Sequence, residues 1–274
     1  SFTNEYTTMG YLARIQYDYD EKYFVSASYR RDASSRFHPD NRWGNFGSVG
    51  LAWLINKENF MSNVSWIDML KFKASYGIQG NDNLGNYYAY ADQYSVTNSN
   101  GDFAVSFSYK GNKDITWETS YAFNTGFDFE LLGNRLNGTV EYFNRKTVDL
   151  LYNQPVPISM GYATIPMNVG SIVNQGIEVD LNGVLYKNNN IEWLANINAT
   201  HYKNKITDLA ESAKRNGGIK YSNAIYRVGG SLYNSYLPVY AGVDPNDGQA
   251  LYYVDPDNGD YTTTNDYSKA KQSD

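Results

Sequence analysis

Apolar and polar side chains alternate at every second position over long segments of this chain. Ile177, Val179 and Leu181 share one face of such a segment. Glu178 and Asp180 lie between them and point to the opposite face. The alternation recurs in eight segments, which span about 7–18, 23–32, 46–55, 70–79, 116–131, 136–149, 171–186 and 191–204. Strands of soluble domains usually have about five or six residues, whereas about ten or more alternating residues suit a tilted strand that crosses a bilayer.

The connections between these segments alternate in length. Three are tight turns, at 20–22, 133–135 and 187–190. Three are long polar loops, at 33–45, 80–115 and 150–170. Short turns on one side and long loops on the other are typical of an outer-membrane barrel, whose short turns are periplasmic. The sequence therefore predicts an all-β fold, a long antiparallel meander that forms part of a transmembrane β-barrel.

Two regions depart from this regular pattern. The connection 56–69 is long although it lies on the short-turn side, and its residues Phe60 and Trp66 predict a short helix packed at the rim. After about Lys205 the alternation fades into residues rich in Gly, Asn, Asp and Tyr. We therefore predict barrel strands in 1–204 and an extracellular loop region in 205–274, ending before the last strands of the barrel.

Aromatic residues make up 16% of the chain, including 27 tyrosines, and they collect near the predicted short turns. Tyr19 and Tyr23 flank the first turn, Phe129 precedes the second, and Tyr186 and Trp193 bracket the third. An aromatic girdle at a membrane interface has this arrangement. Aromatic residues also favour strands in general, so the preference for strands is the alternative explanation.

Few residues of this chain could carry out chemistry. Cysteine is absent, which removes disulfides, thiolate metal ligands and cysteine nucleophiles. The two histidines, His38 and His201, are far apart in sequence and belong to no metal-binding motif. We therefore predict that the chain is not an enzyme. A net charge of −6 without a basic stripe also argues against nucleic-acid binding.

Pairs of carboxylates occur on the predicted strands. Glu178 with Asp180, or Asp128 with Glu130, could in principle serve glycoside hydrolysis. Residues i and i+2 of a strand share one face, however, and here that face is the polar side of a regular alternation. The pattern favours a wet barrel lumen over an acid–base pair.

Two acidic turns resemble calcium-binding loops. Asp244 and Asp247 belong to the first, and Asp255 and Asp257 to the second, but neither turn has the full spacing of an EF-hand. Asp, Pro and Gly also form ordinary β-turns, so we expect turns without a cofactor and keep Ca²⁺ as the alternative.

Aromatic residues in the predicted loops are candidates for contact with a ligand or a partner. They are Trp43 in the loop 33–45 and Tyr87, Tyr88 and Tyr90 in the loop 80–115. Exposed aromatic rings could stack on sugars or on the surface of a partner, and they could equally pack against neighbouring loops.

Four stretches of the chain carry a resemblance to a known family. They are 41–60 (NRWGNFGSVGLAWLINKENF), 70–81 (LKFKASYGIQGN), 169–183 (VGSIVNQGIEVDLNG) and 240–253 (YAGVDPNDGQALYY). In this order they resemble the SusC/RagA family of TonB-dependent outer-membrane transporters of Bacteroidetes. Gly47 stands where a proline is common in that family, and Leu54 where a basic residue is common.

The resemblance implies a segment from the C-terminal half of a 22-stranded barrel in the bacterial outer membrane. The family implies import of an oligosaccharide or peptide, powered by TonB through an N-terminal region outside this chain, with a SusD-like lipoprotein as the partner. A soluble, secreted, all-β carbohydrate-binding module is the alternative, and it predicts strands of about six residues.

Overall fold

The computed structural model describes residues 3–99 and 101–273 and shows a chain built almost entirely of strands. In chain order the strands are β1 (Thr8–Tyr19), β2 (Tyr23–Ser34), β3 (Trp43–Leu54), β4 (Ile67–Asn81), β5 (Gln93–Ser99), β6 (Asp102–Tyr109), β7 (Glu118–Leu131), β8 (Leu136–Val148), β9 (Leu151–Pro155), β10 (Thr164–Asn168), β11 (Ser171–Lys187), β12 (Glu192–Asp208), β13 (Ile219–Tyr221), β14 (Ala224–Tyr226), β15 (Leu237–Pro238), β16 (Tyr240–Val243), β17 (Ala250–Asp255), β18 (Asp260–Thr264) and β19 (Gln272–Ser273). The helical elements are α1 (Glu211–Arg215) and 3₁₀ turns at Ile55–Lys57, Asn59–Met61, Ile158–Met160 and Pro256–Asn258. None of these helical elements is long and apolar enough to cross a membrane.

Eight long strands form one antiparallel sheet, which confirms the predicted meander. Their order in the sheet is β1-β2-β3-β4-β7-β8-β11-β12. Each corresponds to one of the eight alternating segments, although β3 begins at Trp43 and β12 continues to Asp208. The strands have 12 to 17 residues, about twice the usual strand length of soluble domains.

The chain divides into two compact units between Lys203 and Asn204. The first contains the long strands, with β12 as far as Lys203, and the hairpins in their loops. The second has its own small core, in which Ile206, Ala213 and Ile225 are buried. Its strands β13–β19 have only two to six residues, too few for the alternation to be recognised in the sequence. The assignment of 205–274 to an extracellular loop region stays a prediction.

Two of the long loops contain hairpins that the sequence did not predict. β5 pairs with β6 inside the loop 80–115, and β9 pairs with β10 inside the loop 150–170. Pro155 and Pro166 lie in β9 and β10, and proline ordinarily argues against a strand. Asn98 also accepts a hydrogen bond from the N–H of Gly101 at 3.0 Å, which helps to close the β5–β6 turn.

Where a short helix was predicted in 56–69, the structure has two short 3₁₀ turns, at Ile55–Lys57 and Asn59–Met61. Phe60 is 66% exposed and Trp66 is 54% exposed, so these rings are not packed at the rim. Hydrogen bonds hold the segment 56–69 in place instead. Glu58 accepts a hydrogen bond from Trp53 Nε1 at 3.1 Å, and Asn56 donates to the carbonyl of Asp68 at 3.1 Å. These two anchors tie the twelve residues between β3 and β4 back to the ends of both strands.

Candidate functional site

The register of the long strands aligns their alternating side chains into two continuous faces. One row of the apolar face is Tyr17, Val25, Leu51, Ala74, Thr125, Tyr142 and Ile177, on β1, β2, β3, β4, β7, β8 and β11. The neighbouring row of the polar face is Asp18, Phe24, Ala52, Lys73, Gly126, Glu141 and Glu178 on the same strands. Leu51 in this row is 51% exposed, so the part of the chain that the structure describes leaves the apolar face uncovered there. We treat the polar face as the candidate site.

A cluster of ion pairs lies at the centre of the polar face. Lys73 on β4 places its Nζ 2.9 Å from a carboxylate oxygen of Asp128 and 3.0 Å from one of Glu141. Thr139 donates a hydrogen bond to the same Asp128 carboxylate at 2.9 Å. Lys71 is a more distant partner of Asp128, at 3.8 Å. The cluster joins β4, β7 and β8 and places charges of both signs on this face.

Gly126 makes the cluster possible. It lies on β7 directly between Lys73 and Glu141 in the register, and it is buried. Because it has no side chain, the Lys73 ammonium group can reach across β7 to the strand beyond. A Cβ at this position would lie 2.2 Å from the carbonyl oxygen of Val140 and 2.8 Å from the Cα of Glu141.

The substitution Gly126→Val is expected to lower the free energy of unfolding by about 1–3 kcal/mol, as overpacking does in other cores. The added atoms collide with the backbone of β8, which cannot move without breaking the pairing. Urea unfolding of the protein measures the change. Gly77→Val is the matched control, since a Cβ there meets nothing closer than 3.7 Å. Equal effects of the two substitutions would contradict the role given to Gly126.

The carboxylate pairs of the sequence do not form an acid–base arrangement. Asp128 is held by lysine, whereas Glu130 lies opposite Asn137. Glu178 lies opposite Glu141, and Asp180 accepts a hydrogen bond from Asn182 at 2.7 Å. These acids are spread along the polar face, as the predicted alternation implies.

Trp43 is not in a loop, contrary to the prediction, because it is the first residue of β3. Its ring stacks on Tyr11 with centroids 6.1 Å apart, and the Arg31 guanidinium lies 5.0 Å from its centroid. All three residues lie on the apolar face of the sheet. Whether Trp43 contacts a ligand or a partner stays a prediction.

The three loop tyrosines pack against neighbouring segments. Tyr88 accepts a hydrogen bond from the backbone N–H of Glu5 at 3.2 Å. Tyr90 meets His38 edge to face, with ring centroids 5.9 Å apart. Tyr87 belongs to a cluster around Arg36. The structure therefore places all three rings, partly buried, at the long-loop end of the sheet, and their contact with a ligand stays a prediction.

The cluster around Arg36 and Asp82 was not recognised in the sequence. These two residues form an ion pair of 3.1 Å in which each side chain is 14% exposed. Asp82 also accepts hydrogen bonds from Tyr6 at 2.8 Å and from Ser34 at 2.6 Å. Arg36 lies over the rings of Tyr6 and Tyr87, at 4.5 and 5.2 Å from their centroids. Burial, together with the Asp82 carboxylate, raises the pKa of Tyr6 above its ordinary value. Only the fold brings these distant residues together.

The hairpin β5–β6 presents an exposed apolar face. Tyr94 pairs with Phe107, Val96 with Val105, and Asn98 with Phe103 in the register. Phe103 is 72% exposed and Val105 is 67% exposed. The other hairpin face carries small residues such as Ser95 and Ser106. An exposed apolar patch of this kind marks a surface for interaction.

An ion pair fixes the base of this hairpin. Asp92 pairs with Lys110 at 3.0 Å and accepts a hydrogen bond from the N–H of Gly111 at 2.9 Å. Gly111 is required there, because a Cβ would lie 2.3 Å from the backbone of Ala91. The hydrogen bond from Lys110 and that from Gly111 lower the pKa of Asp92 below its ordinary value.

Acidification is therefore expected to loosen the hairpin base. A carboxyl group whose pKa is lowered in the folded state contributes stability that is full above its ordinary pKa of about 4. That contribution is lost as the pH falls through the lowered folded-state pKa. Amide hydrogen exchange of residues 93–109, corrected for intrinsic rates, should show more opening at strongly acidic pH than at pH above about 4. The variant Asp92→Asn should lose this dependence of hairpin opening on pH. The same pH dependence in the variant would refute the role given to Asp92.

The carboxylates of the two acidic turns accept hydrogen bonds from other residues of the second unit. Asp244 accepts hydrogen bonds from the backbone and the side chain of Asn246, both at 2.9 Å. Asp247 accepts one from the N–H of Gln249 at 2.9 Å. Asp257 accepts one from Ser273 at 2.5 Å. Asp255 pairs with Lys271, which lowers the pKa of Asp255. In the described residues, no three His, Cys, Asp or Glu side chains converge as ligands for a metal ion.

Comparison with known proteins places this two-faced sheet in a family. The sequence model of the family described as "TonB dependent receptor-like, beta-barrel" matches residues 1–272. The chain is 37% identical over 227 residues to the TonB-dependent receptor P39 of Formosa agariphila. The aligned region covers 82% of this chain and 21% of that receptor. It is 32% identical over 217 residues to the TonB-dependent receptor SusC of Bacteroides thetaiotaomicron, and this aligned region covers 76% of the chain and 22% of SusC.

A solved structure shares the fold. The chain superposes on a chain of the RagAB peptide transporter with a TM-score of 0.85 and 30% sequence identity. The match covers 98% of this chain and 30% of the transporter chain. The present chain thus spans about a fifth of the length of the two curated receptors and less than a third of the solved one.

Proposed function

This chain belongs to the TonB-dependent receptor-like β-barrel family, and on that premise we propose that it is a wall segment of an outer-membrane transporter for a polar nutrient. The observation that carries the proposal is the register of the eight long strands, which gives one apolar and one polar face. In a barrel, the apolar face contacts lipid and the polar face lines the lumen. The soluble carbohydrate-binding alternative loses its support, because its strands would be about half as long.

The nutrient is an oligosaccharide or a peptide. SusC and the RagAB peptide transporter are both similar to this chain over most of its length. The polar face suits either solute, since amide and hydroxyl groups such as Ser75 and Asn124 surround the ion pairs of Lys73. The energy would come from TonB acting through an N-terminal region outside this chain.

The short turns face the periplasm, and the hairpins β5–β6 and β9–β10 lie on the extracellular side. The turn between β1 and β2 has three residues, and Lys22 in it bonds back to Tyr19 at 3.1 Å. The loop between β4 and β7 instead spans 36 residues and contains a hairpin. This asymmetry is the usual one of outer-membrane barrels.

Uptake by cells tests the proposal. A strain in which the gene of the complete receptor is deleted should lose import of one class of labelled solute, either oligosaccharides or peptides. The complete gene should restore the import, and an uncoupler of the proton gradient should abolish it again, because TonB needs that gradient. Unchanged import of both classes after deletion would refute the proposal.

A SusD-like lipoprotein is the proposed partner, and the apolar face of the β5–β6 hairpin is its proposed contact. Replacement of Phe103 and Val105 by serine should weaken co-purification of the lipoprotein about tenfold or more, as the loss of exposed anchors does at other interfaces. Replacement of Ser95 and Ser106 by alanine, on the opposite face of the hairpin, is the matched control. Equal binding by both double variants would exclude the hairpin as the contact.

A further inference from the structure

Charge is divided unevenly between the two faces of the long sheet. In the regular register of the eight strands, as far as they are described, the apolar face carries no aspartate or glutamate. Its ionisable groups other than tyrosine are all basic. They are Arg31, Lys146, Lys187, His201, Lys203 and Lys205. A surface that merely tolerated charges near water would be expected to carry both signs.

Three of these groups lie at the long-loop end, on the two strands that flank β11, and we call them the basic patch: Lys146 on β8, and His201 and Lys203 on β12. Lys146 on β8 lies opposite Val173 of β11. On the other side of β11, a Cβ at Gly176 would lie 2.3 Å from the carbonyl oxygen of His201 and 2.9 Å from the Cα of Tyr202. Tyr202 therefore shares the polar face with Gly176, and its neighbours His201 and Lys203 point to the apolar face.

The basic patch has no compensating acid in the described structure. Lys146, His201 and Lys203 form no ion pair and no side-chain hydrogen bond among the described residues, and all three are exposed. By contrast Lys187, at the short-turn end of the same face, pairs with Glu192 at 2.7 Å.

Between the two lysines lies a pair of amides. Asn144 on β8 donates a hydrogen bond to Gln175 on β11 at 3.1 Å, one register position below Lys146 on the apolar face. β8 and β12 are two strand spacings apart, about 10 Å, so two flexible lysine side chains from these strands can converge above β11. The amides add neutral donors to the same place. This set of donors suits an anion with several oxygen atoms, such as a phosphate group.

We propose that the basic patch binds the phosphate of an anionic lipid headgroup in the membrane leaflet that faces the long loops. Unpaired cations on a lipid-facing surface are costly near the bilayer centre and much less so at the headgroup level. Lys203 and Lys146 lie on the long-loop side of the apolar row that contains Tyr142, Ile177 and His201, towards the strand ends, where headgroups are found. The inference rests on the membrane orientation given under the proposed function.

Lipid binding by the complete receptor tests this inference. The purified receptor in dodecylmaltoside is titrated with phosphatidic acid, or with diacylglycerol, which lacks the phosphate. Bound lipid is counted by native mass spectrometry. The receptor should bind phosphatidic acid in preference to diacylglycerol. The double variant Lys146→Gln, Lys203→Gln should bind phosphatidic acid about 30-fold more weakly, the factor that two lysines supply near an anionic surface.

The control variant is Lys187→Gln, which removes a paired lysine from the same face and should leave phosphatidic acid binding unchanged. Equal binding of both lipids, or equal binding by the double variant and the wild type, would overturn the inference. Displacement of the lipid by inorganic phosphate at the same concentration would also overturn it, because the site would then be one for free phosphate. The uptake assay distinguishes failure of this inference from failure of the proposed function. A receptor that imports its solute but does not prefer phosphatidic acid refutes the lipid site and leaves the transport function standing.

Discussion

Replacement of Val49 by arginine is expected to lower the free energy of unfolding of the membrane-embedded barrel by about 2–4 kcal/mol. Val49 lies at the middle of β3 on the apolar face, between Ala27 of β2 and Tyr76 of β4. An arginine there must hold its charge against lipid far from either headgroup region. Urea unfolding of the complete receptor in lipid vesicles, followed by the mobility of the unheated protein on SDS gels, measures the change.

Ser48 provides the matched control for this experiment. It is the preceding residue of the same strand, it is also exposed, and its hydroxyl bonds to that of Ser28 at 2.7 Å on the polar face. Ser48→Arg should cost about 1 kcal/mol or less, because the lost hydrogen bond is replaced by contact with water in the lumen. The opposite ranking of the two variants would mean that the lipid and lumen faces have been interchanged.

The 274-residue chain expressed alone is expected not to insert into a membrane as a folded monomer. β1 and β12 are the two ends of the strand order, and each has only one partner in the described sheet. Their free backbone N–H and C=O groups would face lipid, where each unpaired group costs several kcal/mol. We expect aggregation, or association between copies through these edges.

Electrophoresis of the refolded chain without heating tests whether it forms a folded monomer. The complete receptor, refolded in parallel, should migrate faster before heating than after it, as closed barrels do. The 274-residue chain should show one mobility only. A detergent-stable monomer of the isolated chain whose mobility changes on heating would contradict the requirement for partners at both edges.

The eight long strands could be predicted because their signal is local and repeated. Each strand has two differently solvated faces, so its apolar residues recur at every second position over ten or more residues. The small elements gave no such signal. β5 and β6 lie in a loop whose polar sequence predicts no strand. In 56–69 the apolar residues Phe60 and Trp66 predict a helix, whereas hydrogen bonds of Asn56 and Glu58 hold two 3₁₀ turns.

The candidate site was predictable only in outline. The alternation identified Asp128 and Glu141 as residues of the polar face, but it did not indicate that Lys73 lies between them. It placed Trp43 in a loop, because the start of β3 lacks clear alternation, and the structure assigns that residue to the strand. The ion pair of Arg36 with Asp82 joins two loops that are 46 residues apart, and nothing in either loop points to the other.

The sequence by itself determined the all-β class, the number of long strands and the polarity of each face, since these depend on the two-residue period of an extended backbone. Only the tertiary structure decided which residues meet across the strands. β4 and β7 are neighbours although 36 residues separate them, and their register sets Gly126 beside Lys73. Register is a property of pairs of distant segments and of the loops that join them, and a shift of two residues would preserve every face while it dispersed the ion-pair cluster.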